Sequence, residues 1–152
     1  GAVMISPLQA VMFAAALANG GILYRPYLLD KVVSDSGETL LQSAPEIRQR
    51  LPLSAENLNL LKQAMHGAVS APGGSAAALS QLDFELAAKT GTAEVGSGEQ
   101  RRKDTWGICY GPLDNPEYAV ACLIEDGDSG GKTAVPLIAS FLKLWLQAGD
   151  GH

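Results

Sequence analysis

Residues 89–92 read Lys-Thr-Gly-Thr and directly follow the strand-like run "FELAA". In an extended chain, alternation puts Lys89 and Gly91 on one face and Thr90 and Thr92 on the other. On an edge strand beside a cleft, the lysine supplies positive potential and a threonine hydroxyl can hydrogen-bond an anionic oxygen. The glycine lets a ligand approach the backbone. An unpaired N–H at Thr92 can then act as an oxyanion donor, whose loss costs about 2.7 to 4 kcal/mol where such a donor operates. The same four residues would equally suit an exposed edge whose lysine discourages strand pairing. Taken alone, the tetrapeptide leaves both readings open.

Two other stretches imitate reactive motifs. "EDGDSGGKTAVP", residues 125–136, falls between a strand candidate and a helix candidate, as a phosphate-binding loop would. Its spacing fails by one residue, because Gly127 lies too close to Gly131 and position 126 is aspartate. Asp126 and Asp128 would also repel phosphate oxygens. Nucleotide binding by the 127–133 glycine loop is therefore a remote alternative. Within the same stretch, Ser129 to Lys132 is formally S-x-x-K, which works when a helix sets the lysine amine one turn from the serine hydroxyl. Two glycines separate them and the helix is expected only from Pro136, so a glycine-rich strand-to-helix turn is the expected structure.

His66 lies beside an apolar helical stripe and reads as a packed or helix-end histidine. No His/Cys/Asp/Glu cluster points to a metal, and no cofactor is implied. Cys109 and Cys122 have no metal or redox spacing. In a hairpin centred near Asp114 and Asn115 they share a sheet face as diagonal neighbours, too far apart for a disulfide, so two buried free thiols are expected.

These candidates need elements to hold them. The chain has 152 residues, 47% apolar and 18% charged, which is the composition of one soluble globular domain. Net charge is −5 and the 11 basic residues are scattered apart from Arg101–Lys103, so no nucleic-acid or anionic-lipid partner is expected. The longest apolar stretch, "AVMFAAALA", is about half the roughly 20 residues a membrane span needs, and no cleavable signal pattern is seen. Direct membrane insertion by this segment is not expected.

Ser6, Pro7 and Gln9 form a capping box for a helix running to Ala18, which Gly20 and Gly21 stop. That helix is apolar on almost every side, so it belongs inside a larger body. "SDSG", residues 34–37, makes a turn between two short strands. Ser54 caps a second helix whose Leu58, Leu61, Met65 and Ala68 or Val69 recur at helical spacing. Three strand candidates follow, Phe84–Thr92, Thr105–Gly111 and Tyr118–Glu125, with an exposed glycine-rich connection over 93–104. A final helix opens at Pro136. The sum is an α+β arrangement, an antiparallel sheet of at least three strands packed with helices.

Four stretches carry a family resemblance: "GAVMISPLQAVMFAAALANGGILYRPYLL", "AAKTGTAE", "YGPLDNPEYAVACLIEDG" and "SGGKTAVP". In this order and at these distances, the chain resembles the C-terminal part of the transpeptidase domain of class B penicillin-binding proteins. The resemblance implies a partial β-lactamase/D,D-peptidase-like fold and the cross-linking of peptidoglycan stem peptides. In that chemistry a serine attacks a D-Ala-D-Ala carbonyl, and the resulting acyl-enzyme passes its acyl group to an amine. β-Lactams acylate the same serine. By matching position, Lys89 and Thr92 would be catalytic, Lys89 sustaining the electrostatics of the cleft and the Thr92 N–H donating to the oxyanion. Lys89, Thr90, Gly91 and Thr92 would bind substrate, the two hydroxyls holding its carboxylate.

The departures shape the expectation. The family's nucleophile lies in an S-x-x-K upstream of K-T-G, with an S-x-N between them, and neither is present at a matching position. Residues 1–152 are therefore expected to be a C-terminal segment, inactive alone, whose partner is the upstream half of the same domain. The implied location is extracytoplasmic, the parent being anchored by an N-terminal helix outside this sequence. A non-catalytic binding or scaffolding module that kept the sheet is the alternative. The family also often reads W-F-x-G near "TWGICYG", so Gly107 and Cys109 leave the packing of that strand open.

Overall fold

The computed structural model describes residues 4–98 and 101–149. Helix α1, Pro7–Ala18, opens with the expected capping box: Ser6 Oγ accepts the Gln9 N–H (3.3 Å) and Gln9 Oε1 accepts the Ser6 N–H (2.8 Å). Two satisfied helix-start donors and a proline at the first turn explain why the helix begins there. The chain reverses at Gly20 and Gly21, both at positive φ. Strand β1, Ile22–Tyr24, pairs antiparallel with β4, Ile47–Arg50, and between them β2, Lys31–Val33, and β3, Thr39–Gln42, form the small hairpin around "SDSG". Helix α2, Ala55–Ser70, is capped by Ser54, whose Oγ accepts the Asn57 N–H at 3.1 Å.

A short 3-10 turn, Ala77–Gln81, leads into the sheet: β5, Ala87–Val95, β6, Arg102–Gly111, and β7, Tyr118–Ile124, antiparallel in the order β5-β6-β7. A π-helical turn, Gly130–Ala134, runs directly into α3, Val135–Gly149. The arrangement is α+β, as the sequence implies.

Helices cover both faces of the sheet. On one face Ala88 and Cys109 pack with Leu86, Val135, Ile138, Ala139 and Leu142, so α3 lies there. On the other, Ala87 and Tyr110 pack with Leu17 of α1 and Met65 of α2. His66 ties α2 to the entry of β5, its Nδ1 3.1 Å from the Leu86 carbonyl and its Nε2 3.7 Å from Glu85 Oε1. This matches the packed, helix-end reading.

The strand ends differ from expectation at both sides of β5. Phe84–Leu86 precede the strand: the Glu85 carbonyl accepts the Leu113 N–H at the β6–β7 turn (2.9 Å), and Phe84 packs edge-on against Tyr118. Beyond Thr92 the ladder continues through Val95↔Arg102, into residues expected to be loop. Charge there marks an exposed hairpin, not an irregular one. Glu94 pairs with Arg101, and Arg102 reaches Asp104 and Glu125. Glu99 and Gln100 of the expected connection lie outside the described residues.

The departure at Gly107 has a packing counterpart. A Cβ on Gly107 would lie 2.9 Å from Ile138 Cδ1 and 3.5 Å from both Ala134 and Val135, so a side chain at 107 would displace the tip of Ile138 within the core between β6 and α3. Cys109, one step along the same face, is buried in that core. Gly107→Val should therefore destabilise the fold by about 1 to 3 kcal/mol, the usual cost of overpacking. Adding Ile138→Ala should recover part of that loss, whereas Ile138→Ala alone should be destabilising; urea unfolding of the four proteins measures the coupling.

Candidate active site

The alternation of β5 is set by its first two residues. Ala87 is buried toward α1 and Ala88 toward α3, so Lys89 and Gly91 follow Ala87 while Thr90 and Thr92 follow Ala88. The register agrees, with Lys89 opposite Ile108, Thr90 opposite Gly107, Gly91 opposite Trp106 and Thr92 opposite Thr105. Strand β5 has one strand neighbour, β6, and is the edge of the sheet among the described residues.

Two grooves flank this edge. On the Lys89 side a cavity of about 420 Å³ is lined by Ile5, Gln9, Ala10 and Phe13 of the α1 region together with Trp106 and Ile108. On the Thr90 side a second groove, about 480 Å³, is lined by Ser75, Thr92, Ser129 and Lys132 with the glycines around them. One wall of the strand is thus apolar with a cation, and the other is hydroxyl-rich.

The Lys89 amine donates to the Thr90 carbonyl at 2.5 Å. No carboxylate lies within 4.0 Å of it among the described residues. The Thr90 hydroxyl donates to Ser75 Oγ at 3.0 Å, and the Thr92 hydroxyl accepts the Gly130 N–H at 3.4 Å. Gly130 meets the strand backbone closely: a Cβ there would run into the Trp106 carbonyl and come within 2.7 and 2.9 Å of Gly91 O and N. All four sequence-predicted residues therefore come together on one edge, three of them alternately exposed or half-buried around Gly91.

The second lysine is differently placed. Helical winding starts at Gly130, earlier than the expected Pro136, because Ser129 O accepts the Lys132 and Thr133 N–H groups (3.1 and 2.8 Å). Thr133 Oγ1 also accepts the Asp128 N–H at 3.1 Å. Lys132 Nζ lies 3.0 Å from Asp128 Oδ2, so its charge is compensated by the carboxylate beside it. Winding therefore brings Lys132 within one turn of Ser129, but its amine is engaged by Asp128 and not by the serine hydroxyl.

The open-edged K-T-G-T strand thus sets an amine and two hydroxyls between an apolar and a hydroxyl-lined groove, groups that suit an anionic ligand. Residues 1–143 match the penicillin-binding protein transpeptidase domain. The chain belongs to the class B penicillin-binding protein transpeptidase family.

It is 32% identical to the peptidoglycan D,D-transpeptidase PbpA of Mycolicibacterium smegmatis over 97% of this chain and 30% of that protein. The solved structure of penicillin-binding protein A from M. tuberculosis, a ceftriaxone acyl-enzyme complex, superposes with a TM-score of 0.81 at 29% identity, covering 94% of this chain and 33% of that one. The D,D-transpeptidase domain of a peptidoglycan glycosyltransferase from Eggerthella lenta gives 0.79 at 28% identity, over 95% and 32%. The chain thus spans about a third of the length of the relatives it matches. No helix among the described residues is long and apolar enough to cross a membrane.

Sequence reasoning missed Ser75 and the contact of Gly130 with β5. The Gly-Gly-Ser run at 73–75 and the Gly-Gly pair at 130–131 were legible only as loop punctuation. Nothing local in either pairs it with a strand 15 or more residues away.

Two thiols lie in the sheet beneath the site. The register sets Cys109 opposite Val120 and Cys122 opposite Gly107, which is the diagonal relation expected, and both thiols are free, Cys109 buried and Cys122 half-buried. Burial pushes the Cys109 thiol up to about 12 from 9.0, outweighing a backbone hydrogen bond from Val120, and Tyr110 also moves up by burial. The folded state therefore holds the Cys109 proton where the unfolded chain has released it. Its contribution to stability is complete below pH 9 and is lost as pH rises from 9 towards 12, at about 1.4 kcal/mol per pH unit. Thermal unfolding between pH 8 and 11 should show this alkaline decline, and Cys109→Ala should make it shallower, with Tyr110 sustaining the rest.

Proposed function

We propose that residues 1–152 are the C-terminal segment of a peptidoglycan D,D-transpeptidase domain and supply the K-T-G-T wall of its active site. The observation that carries this reading is the edge position of β5 in a chain of this family, with Lys89, Thr90 and Thr92 around Gly91, which lines both flanking grooves. The nucleophilic serine and its base come from the upstream half of the same domain. In the reaction, the serine oxygen bonds to the penultimate D-Ala carbonyl carbon and the bond to the terminal D-Ala breaks, releasing it. An amine of a neighbouring stem peptide then takes the acyl group and restores the serine.

In that scheme the Lys89 charge stabilises the anionic transition state, and the Thr92 N–H donates to the oxyanion. The Thr90 and Thr92 hydroxyls hold the terminal carboxylate of the stem peptide, or the carboxylate of a β-lactam. Gly91 keeps the backbone accessible to the ligand. Support for β-lactam binding comes from the M. tuberculosis relative, which is known as a ceftriaxone acyl-enzyme. The substrate places the protein outside the cytoplasm, with its anchor upstream of this segment.

Fluorescent penicillin and a denaturing gel test the proposal. The whole protein should carry a covalent label, and Lys89→Ala should slow labelling by about 100-fold or more, as loss of a preorganised charge does. The isolated segment should remain unlabelled. A covalent band on Ser129 of the segment would overturn the division of roles, and a whole protein that folds without labelling would favour a non-catalytic scaffolding module.

A further inference from the structure

We propose that Ser75 is a positioning residue for the carboxylate subsite, acting through a hydroxyl pair with Thr90 whose hydrogen bond reverses when an anion binds. The proposal rests on the reading of Thr90 as a carboxylate ligand.

The Thr90 hydroxyl donates to Ser75 Oγ at 3.0 Å. A hydroxyl has one proton and two acceptor lone pairs. While that proton points at Ser75, Thr90 presents only lone pairs to the groove, which is the wrong polarity for a carboxylate. To bind an anion, Thr90 must turn its proton outward. Ser75 carries a proton of its own that can turn inward, so the pair keeps its hydrogen bond in the opposite sense, Ser75 to Thr90 to carboxylate. A donor behind Thr90 also polarises its hydroxyl and strengthens the bond to the anion. An alanine at position 75 could do neither.

Ser75 is fixed well enough for this role. Its neighbours are tied to the end of α2, the Ala76 N–H donating to Ala68 O at 2.8 Å and the Gly74 N–H to Ala71 O at 2.9 Å. From the other side Gly131 presses on the Ser75 carbonyl, which would lie 2.5 Å from a Cβ at 131. The loop after α2 and the turn before α3 thus hold the Ser75 backbone, leaving its exposed Oγ free only to rotate at the groove beside Thr90. Because Ser75 is exposed and outside both core clusters, removing its hydroxyl should hardly affect folding.

The test compares acylation of the whole protein by benzylpenicillin and by its methyl ester, in which the carboxylate is neutralised. Ser75→Ala should lower the second-order rate with benzylpenicillin about fivefold, the scale of one lost hydrogen bond between neutral groups, through weaker non-covalent binding with the limiting acylation rate kept. The ester should react equally with both proteins, and Ser75→Thr should restore the benzylpenicillin rate. Equal losses with both ligands, no loss with either, or a threonine variant as slow as alanine would overturn the assignment. Wild-type protein that neither penicillin acylates would overturn the transpeptidase reading itself, and Ser75 with it.

Discussion

Two small side chains at the start of β5 decide what every later residue of that strand can do. Ala87 and Ala88 are fully buried on opposite faces of the sheet. A slip of one residue would exchange their faces and move every later side chain to the other side. Lys89 would then point at the hydroxyl-lined groove, and the threonines at the apolar one. The nine-residue pairing with β6 holds the same register from the other direction. The chemistry of the edge is therefore a consequence of core packing two residues upstream, and alanines serve because both layers of helix come close there.

Close approach is also how the second wall is built. At Gly107 the missing side chain lets Ile138 settle on β6, and at Gly130 it lets the π-helical turn rest on the backbone of Gly91. These contacts put Ser129 and Lys132 beside Thr92 although 37 and 40 residues of chain separate them from it. Without the glycines the turn would stand off the strand. The hydroxyl groove depends on two absences, just as the register depends on two small presences.

This explains what was readable in the sequence. The capped starts of α1 and α2 were legible because capping is local: Ser6 with Gln9, and Ser54 with Asn57, lie within one turn. The K-T-G-T candidates were legible because alternation is local too. The hairpin between β5 and β6 was misread as loop because its end is held by backbone pairing and ion pairs such as Glu94 with Arg101, and an exposed ladder needs no apolar face. Ser75 was invisible for a different reason. Its meaning lies in a contact with Thr90, and neither its type nor its neighbours announce such a partner.

The two lysines near β5 show how position, and not motif, separates an uncompensated cation from a compensated one. Lys132 sits in the stretch that most resembles a ready-made motif, but Asp128 at 3.0 Å cancels most of its field at any distance beyond the pair. Lys89 has no such neighbour among the described residues and stands at a groove walled by Ile5, Phe13, Trp106 and Ile108. Apolar walls cannot reorient to oppose a charge. If the upstream half closes over that groove, the effective dielectric around Lys89 falls from that of water towards about 20, and its attraction for an anion at a given distance rises about fourfold. The exposed apolar residues on this side of α1, Ile5 and Phe13 among them, are then not a flaw in an isolated surface. In the proposed transpeptidase they would be the means by which a single surface lysine becomes strong enough to hold a developing negative charge.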